Sequence, residues 1–240
     1  MADLFENEAP PPAPSQPEAP REDAPLADRL RPRNLGEVVG QEHLTGPEGS
    51  IGRMVAAGKL SSMILWGPPG TGKTTIARLL ADAVGMRFAA VSAVFSGVAD
   101  LKKAFAEAET AAKAGQKTLL FVDEIHRFNR AQQDGFLPFV ERGTVTLVGA
   151  TTENPSFALN AALLSRAQVL ILERLGHEAL GELLTRAEEL ERPLPLTEDA
   201  RAALIASADG DGRFLLNQAE TLYNAGLTEP LDPAALGSFL

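Results

Sequence analysis

The 240-residue sequence contains no cysteine. That excludes a disulfide framework, a thiolate metal site and a cysteine nucleophile within it. No apolar run approaches the roughly 18 residues that a membrane-crossing helix needs. The basic-then-apolar opening of a secretion signal is also missing, so a cytoplasmic protein is expected. Positive charge is scarce, with 22 Lys and Arg against 32 Asp and Glu and a net charge of −10. No broad basic face is visible, so any nucleic-acid binding must rely on local Lys/Arg clusters or on regions outside this sequence. What remains is 45% hydrophobic and 22% charged, the composition of an ordinary globular protein with enough chain for one large or two small cores.

The charge is uneven. Residues 1–28 hold seven carboxylates against the single cation Arg21, and the same stretch holds seven of the 17 prolines. Such a segment buries too little apolar surface to offset its ordering entropy. Residues 1–25 are therefore expected to be a disordered acidic tail. Met1–Phe5 (Met-Ala-Asp-Leu-Phe) reads either as a short partner-docking peptide or as a plain free terminus.

Residues 67–74 read Gly67-Pro68-Pro69-Gly70-Thr71-Gly72-Lys73-Thr74, with Thr75 next. This is a phosphate-binding loop. Glycines let the backbone approach, successive N–H groups cradle phosphates, Lys73 reaches the β- and γ-phosphates, and the Thr74 hydroxyl binds Mg²⁺. The context fits. Met63–Trp66 is a short apolar strand, and Thr74–Val84 follows as a helix with Ile76, Leu79, Leu80 and Val84 in period.

Strands and helices then alternate. Strands are expected at Arg87–Ser92, Thr118–Asp123, Val145–Ala150 and Gln168–Leu172, and helices at Ala99–Gly115 and Ala131–Arg142. Apolar strands separated by helices mean a parallel sheet covered on both faces, hence an α/β protein with five strands. From Gly176 onward the pattern is purely helical, with helices at His177–Leu190, Thr197–Ala208 and Arg213–Ala225. The expected organisation is a tail at 1–25, a nucleotide-binding domain at 26–175 and a small helical lid at 176–240.

Leu119–Val122 is an apolar stretch ending in Asp123-Glu124, which places both carboxylates at the sheet edge that carries the phosphate loop. Asp123 would hold Mg²⁺ through its water shell, and Glu124 would polarise the attacking water. After the fourth strand, Thr152 is the preferred polar contact to the γ-phosphate, with Thr151 and Asn154 as alternatives. Arg166, just before the last strand, suits a transition-state arginine supplied to a neighbouring subunit. Arg213 opens a helix of the second domain and is placed to couple that domain to the γ-phosphate. His126 reads as a relay of nucleotide state to a DNA-facing loop or simply as a brace for its own loop. Phe128 and Phe136 read as core or subunit contacts rather than base-stacking platforms, and Trp66 as core.

Together, Asp28–Gln41, the phosphate loop, Asp123–Arg127, the Thr151-Thr152 turn, Ser165-Arg166 and Arg213 with Asn217 resemble an AAA+ ATPase of the clamp-loader clade. The long run Phe121–Arg166 narrows the resemblance to the RarA/MgsA family, the replication-associated recombination proteins that are similar to the Werner-helicase-interacting protein. The likeness covers about residues 25–225.

The resemblance implies that Arg31, Pro32, Val38 and Val39 line the adenine pocket, that Thr152 is the first sensor, Arg166 an arginine finger in trans and Arg213 the second sensor. It implies ATP and Mg²⁺ as cofactors. Expected partners are single-strand/duplex junctions, forks and DNA ends, together with fork proteins such as single-strand-binding protein. It also implies a tetramer and a nucleoid-associated location. Ala167 and Gly212 depart from the family's usual Cys and Ala, both small for small. The family continues past the position of Leu240 into a helical oligomerisation region, so this chain reads as an amino-terminal portion. The competing readings are a clamp-loader subunit or branch-migration motor of the same clade, and an ATP-gated scaffold with little hydrolysis.

Overall fold

The computed structural model of the chain describes residues 23–227 and 229–240. The acidic tail therefore lies outside the described residues, apart from its last three positions. Five strands form a parallel sheet: β1 (Met63–Trp66), β2 (Arg87–Ser92), β3 (Thr118–Asp123), β4 (Val145–Thr151) and β5 (Gln168–Ile171), in the spatial order β2-β3-β4-β1-β5.

Side-chain alternation along each strand sorts the core into two layers. Met63 and Leu65 of β1, Leu119 and Phe121 of β3, and Val148 and Ala150 of β4 face one side. There they pack on Ile76, Leu79 and Leu80 of the helix Lys73–Ala83. Ile64, Leu120, Val122 and Leu147 face the other side, against Leu101 and Phe105 of the helix Val98–Lys113 and against Phe136. Burial on both faces is why these strands read as unbroken apolar runs. The edge strand β5 is different, since it exposes Val169 and Ile171.

The carboxyl-terminal helices His177–Leu190, Glu198–Ser207, Gly212–Asn224 and Pro233–Phe239 surround a third cluster built on Leu180, Leu184, Leu204, Leu215 and Leu222. Leu26 and Val39 belong to that cluster as well, and the Leu26 backbone N–H donates to Glu220 Oε1 at 2.9 Å. The segment ahead of the sheet thus packs on the helical unit.

Two sequence expectations are corrected and one element is added. The helix expected at Ala131–Arg142 is two short helices, Arg130–Asp134 and Leu137–Glu141. Gly135 caps the first, and Pro138 lacks the N–H that would continue the ladder. The helix Pro233–Phe239, capped by Asp232, was not foreseen. Trp66 is half-buried at the end of β1 and lies outside the core clusters.

One glycine of β4 is a packing requirement. A Cβ on Gly149 would lie 2.8 Å from Ile64 Cδ1 and 2.9 Å from Ile125 Cδ1, both on fully buried side chains. Ile125 directly follows Glu124, so Gly149→Ala must displace the Ile64 or Ile125 side chain beside the carboxylate-bearing turn. The expected cost is about 1–3 kcal/mol of overpacking, read as a Tm several degrees lower in a thermal melt.

Candidate active site

Strand order builds the site. β4 lies between β1 and β3, so the loop after β1, the acids at the end of β3 and the threonines at the end of β4 emerge side by side at one edge of the sheet. This is the switch point where α/β sheets bind ligands.

The phosphate loop is held close to its neighbours. The Gly67 N–H donates to Thr151 O at 3.2 Å, and a Cβ on Gly67 would lie 2.4 Å from Leu172 O. In the helix that follows, Ile76 is the first residue whose N–H finds a backbone acceptor within the turn, Gly72 O at 2.8 Å. The N–H groups of Lys73, Thr74 and Thr75 precede it at the positive end of the helix dipole, an arrangement that favours an anion.

Lys73 is only 8% exposed, and its ammonium donates to Gly67 O at 2.7 Å and Pro68 O at 2.6 Å. Burial pushes its pKa below the ordinary lysine value, opposed by the carboxylates of Glu124, Asp123 and Asp211. A buried cation resting on neutral carbonyls, whose burial outweighs the nearby carboxylates, is set up to gain from a polyanion.

A cavity of about 350 Å³ opens over this loop. Its lining divides by chemistry. Ala27, Leu30, Arg31, Pro32, Val38 and Val39 form one wall, with Leu175, Leu183 and Leu216 of the helical unit. Residues 69–75, Asp123, Glu124, Thr152 and Arg213 form the polar floor. An apolar slot ending in a polar, cationic loop matches the two ends of a nucleotide.

Nearly all of the residues singled out from the sequence meet here. Arg31, Pro32, Val38 and Val39 line the slot, and Asp28 pairs with the Arg31 guanidinium. Gly67 and Pro68 do not line the cavity, and their carbonyls hold Lys73 instead. Thr74 and Asp123 both face the cavity, a hydroxyl and a carboxylate that suit a hard cation. Of the three polar choices after β4, only Thr152 lines the cavity. Thr151 is fully buried and bonds the His126 ring, while Asn154 caps the short helix Pro155–Ala158.

Arg166 is the exception. It precedes β5, whose first residue pairs with the first residue of β1, so it sits at the sheet edge opposite the phosphate loop. Its Nε donates to Glu141 Oε1 at 2.7 Å. It does not reach the site of its own chain. Phe128 and Phe136 are buried in the core, which removes them as base-stacking platforms.

Sequence reasoning missed Asp211. It caps the helix Gly212–Asn224 by accepting from the Phe214 N–H at 2.9 Å, and it sits directly on the phosphate loop. A Cβ on Gly70 would lie 1.8 Å from Asp211 Oδ1 and 3.0 Å from Asp211 Cα, and Gly70 has a φ of +67°. The Gly212 N–H also donates to Gly70 O at 3.3 Å. The signal was present as an Asp before a helical run, but nothing local tied it to Gly70. Gly70→Ala is therefore strained in its backbone and blocked in space. Nucleotide affinity is expected to fall by about fivefold to 150-fold, from 1–3 kcal/mol of strain. Titration followed by Trp66 fluorescence checks this, because Trp66 directly precedes the loop.

Comparison with known proteins agrees with this geometry. The family described as "ATPase family associated with various cellular activities" matches residues 63–175. Replication-associated recombination protein A of Escherichia coli K12 is 47% identical over 204 residues, 82% of this chain and 46% of that protein. The protein of the same name from Coxiella burnetii is 48% identical over 211 residues, 85% of this chain and 48% of that one. The ATPase WRNIP1 of Dictyostelium discoideum is 43% identical over 211 residues, 86% of this chain and 24% of that protein. The chain spans about half the length of the bacterial relatives. Among solved structures, the RuvB Holliday junction branch migration motor of Thermotoga maritima has a TM-score of 0.70 at 25% identity, over 88% of this chain and 72% of that chain.

Proposed function

Because this chain belongs to the AAA+ ATPases, in the RarA/MgsA family of replication-associated recombination proteins, we propose that it binds ATP with Mg²⁺ and hydrolyses it to act on DNA ends, junctions or DNA-bound proteins at stalled replication forks. The observation that carries the ATPase half is that one cavity is lined both by the apolar side chains of Leu30, Val38, Val39, Leu183 and Leu216 and by Lys73, Thr74, Asp123, Glu124, Thr152 and Arg213. The fork half rests on the relatives.

Each residue then has a task. The slot from Leu30 to Val39 receives the base. The loop N–H groups and Lys73 hold the phosphates. Thr74 and Asp123 would hold Mg²⁺, which would supply positive charge against the phosphates. Glu124 accepts a proton from the attacking water as the bond from the γ-phosphorus to the bridging oxygen breaks. Thr152 and Arg213 contact the γ-phosphoryl oxygens, and Arg213 ties the helical unit to them. Arg166, at the opposite sheet edge, serves the site of a neighbouring subunit. That requires an oligomer, a tetramer by family resemblance. The domains follow as 26–175 for the nucleotide and 176–240 for the lid.

Single-strand-binding protein is the fork partner we expect. Among the described residues, no helix is long and apolar enough to cross a membrane. A cytoplasmic, nucleoid-associated location completes the proposal.

The test is steady-state ATP hydrolysis, alone and with a forked duplex carrying a single-stranded gap, beside Lys73→Ala and Arg166→Ala. Fork-stimulated turnover lost in both variants supports the reading. Tight ATP binding with turnover at the Lys73→Ala level, fork or no fork, replaces it with an ATP-gated scaffold.

A further inference from the structure

We propose that His126 is a positioning residue that sets the Glu124 carboxylate and couples it to the sensor strand, with Glu153 as its competitor. The inference rests on the ATPase reading above and concerns a residue to which that reading gives no task.

Glu124 has φ of 52° and ψ of 43°, a left-handed backbone that a non-glycine residue adopts only when its surroundings enforce it. Two features enforce it. Ile125 is fully buried against the bare backbone of Gly149. The Glu124 carbonyl also accepts from the Arg127 N–H at 2.9 Å, which closes a short 3₁₀ turn. The turn carries His126 back beneath the carboxylate, where its side chain is only 6% exposed.

The ring touches three groups. Nδ1 lies 2.9 Å from Thr151 Oγ1. Nε2 lies 3.4 Å from Glu124 Oε2 and 3.5 Å from Glu153 Oε1. Two carboxylates facing one ring nitrogen dictate that this nitrogen carries a proton, since a lone pair there would face two negative oxygens. In the neutral ring, Nδ1 then accepts from the Thr151 hydroxyl. In the charged ring, Nδ1 donates to it and the hydroxyl turns to Glu153 O, 3.3 Å away. Either way the Nε2 proton lies between two carboxylate oxygens at 3.4 and 3.5 Å, contacts of ion-pair rather than hydrogen-bond length, so a small shift of either carboxylate decides which of them it bonds.

The three partners sit at informative places. Thr151, the last residue of β4, and Glu153 flank Thr152, the cavity-lining threonine that follows the strand. The Thr151 hydroxyl also accepts from the Glu153 N–H at 3.0 Å, so the turn around Thr152 is one bonded unit. A γ-phosphate that draws on Thr152 therefore moves Thr151 and Glu153 together. It thereby changes how the His126 N–H divides between Glu153, whose side chain is 64% exposed, and Glu124, at 26%. When Glu124 holds the N–H, its second oxygen is oriented for water.

The experiment has a turnover arm and an arm free of turnover. His126→Ala is expected to lower kcat by about tenfold to 100-fold, as a misplaced base does. KM for ATP should stay within about twofold, because no phosphate contact is lost. His126→Gln, which can return an N–H to the Nε2 position, should recover part of that loss. His126→Asn, which reaches only Thr151, should not. Glu153→Gln should raise turnover roughly twofold by removing one of two similar acceptors.

In the second arm, ring ¹⁵N–¹H NMR is recorded without nucleotide. The chain has three histidines, and His126→Asn identifies the relevant signal. Glu124→Gln and Glu153→Gln should each shift the Nε2–H of His126. Unmoved signals in both variants, or His126→Ala turning over like the parent chain, overturn the proposal. A parent chain that neither binds nor hydrolyses ATP while those NMR shifts still appear overturns the ATPase reading instead.

Discussion

Glu124→Gln is expected to reduce ATP turnover by about 10²- to 10⁴-fold, the range for removing a general base, while nucleotide affinity stays within about threefold. The asymmetry follows from where the parts sit. In the proposed site, affinity would come from the loop N–H groups, Lys73, Thr74 and the apolar slot, none of which Glu124 builds. Gln keeps the volume and the left-handed backbone of the turn, so Ile125 stays packed on Gly149. What is lost is the acceptor for the water's proton. The electrostatic side effect has a known sign. Glu124 is the strongest of the carboxylates that oppose the burial-driven lowering of the Lys73 pKa. Its neutralisation lets that pKa fall further, which weakens phosphate binding only as the pH rises toward the lysine's own titration. Affinity at neutral pH is therefore the proper comparison, read by titration of a non-hydrolysable analogue beside steady-state turnover. Parent-like turnover in Glu124→Gln would remove this carboxylate from the chemistry.

Much of this site was legible in the sequence because its parts are local. The phosphate loop is a contiguous run, and the apolar stretches Met63–Trp66, Arg87–Ser92 and Thr118–Asp123 became strands with those bounds. Burial on both sheet faces made the type of Met63–Trp66 and Thr118–Asp123 plain, whereas the edge strand Arg87–Ser92 buries only Val91. What stayed hidden depends on contacts between distant segments. Asp211 reads as an ordinary helix cap, and only the folded chain places its carboxylate against Gly70. Leu175, Leu183 and Leu216 look like core residues of the helical unit, yet they also close the apolar slot. The joint role of His126 required Thr151 and Glu153 to arrive beside it from the next strand. The break in Ala131–Arg142 was an error of a different kind. Its apolar spacing is helical throughout, and the turn residues Gly135 and Pro138 outweigh that periodicity.

Arg166→Ala is expected to lose about 10³-fold or more in turnover, the scale of an arginine that stabilises the loose phosphoryl transition state, without loss of ATP binding. The geometry gives this prediction its particular form. Arg166 sits beside the start of β5, and the phosphate loop follows the end of β1, the strand paired with it in parallel. Within one chain the two are separated by the length of the sheet, so the guanidinium acts on a neighbour or not at all. In the isolated chain it is held by Glu141 and by Ala162 O, the latter at 2.8 Å, an exposed arrangement that a phosphate can displace. A mixing experiment isolates the claim. Arg166→Ala keeps a complete phosphate site but offers no arginine, while Lys73→Ala offers the arginine but has a crippled site. Each alone should be nearly inactive. Mixed in equal amounts under conditions where subunits exchange, they should regain turnover, because some interfaces pair an intact Lys73 site with an intact Arg166. A mixture no more active than its parts, in preparations shown by size to be co-assembled, would show that Arg166 completes no neighbour's site. Its pairing with Glu141 would then be the whole of its role.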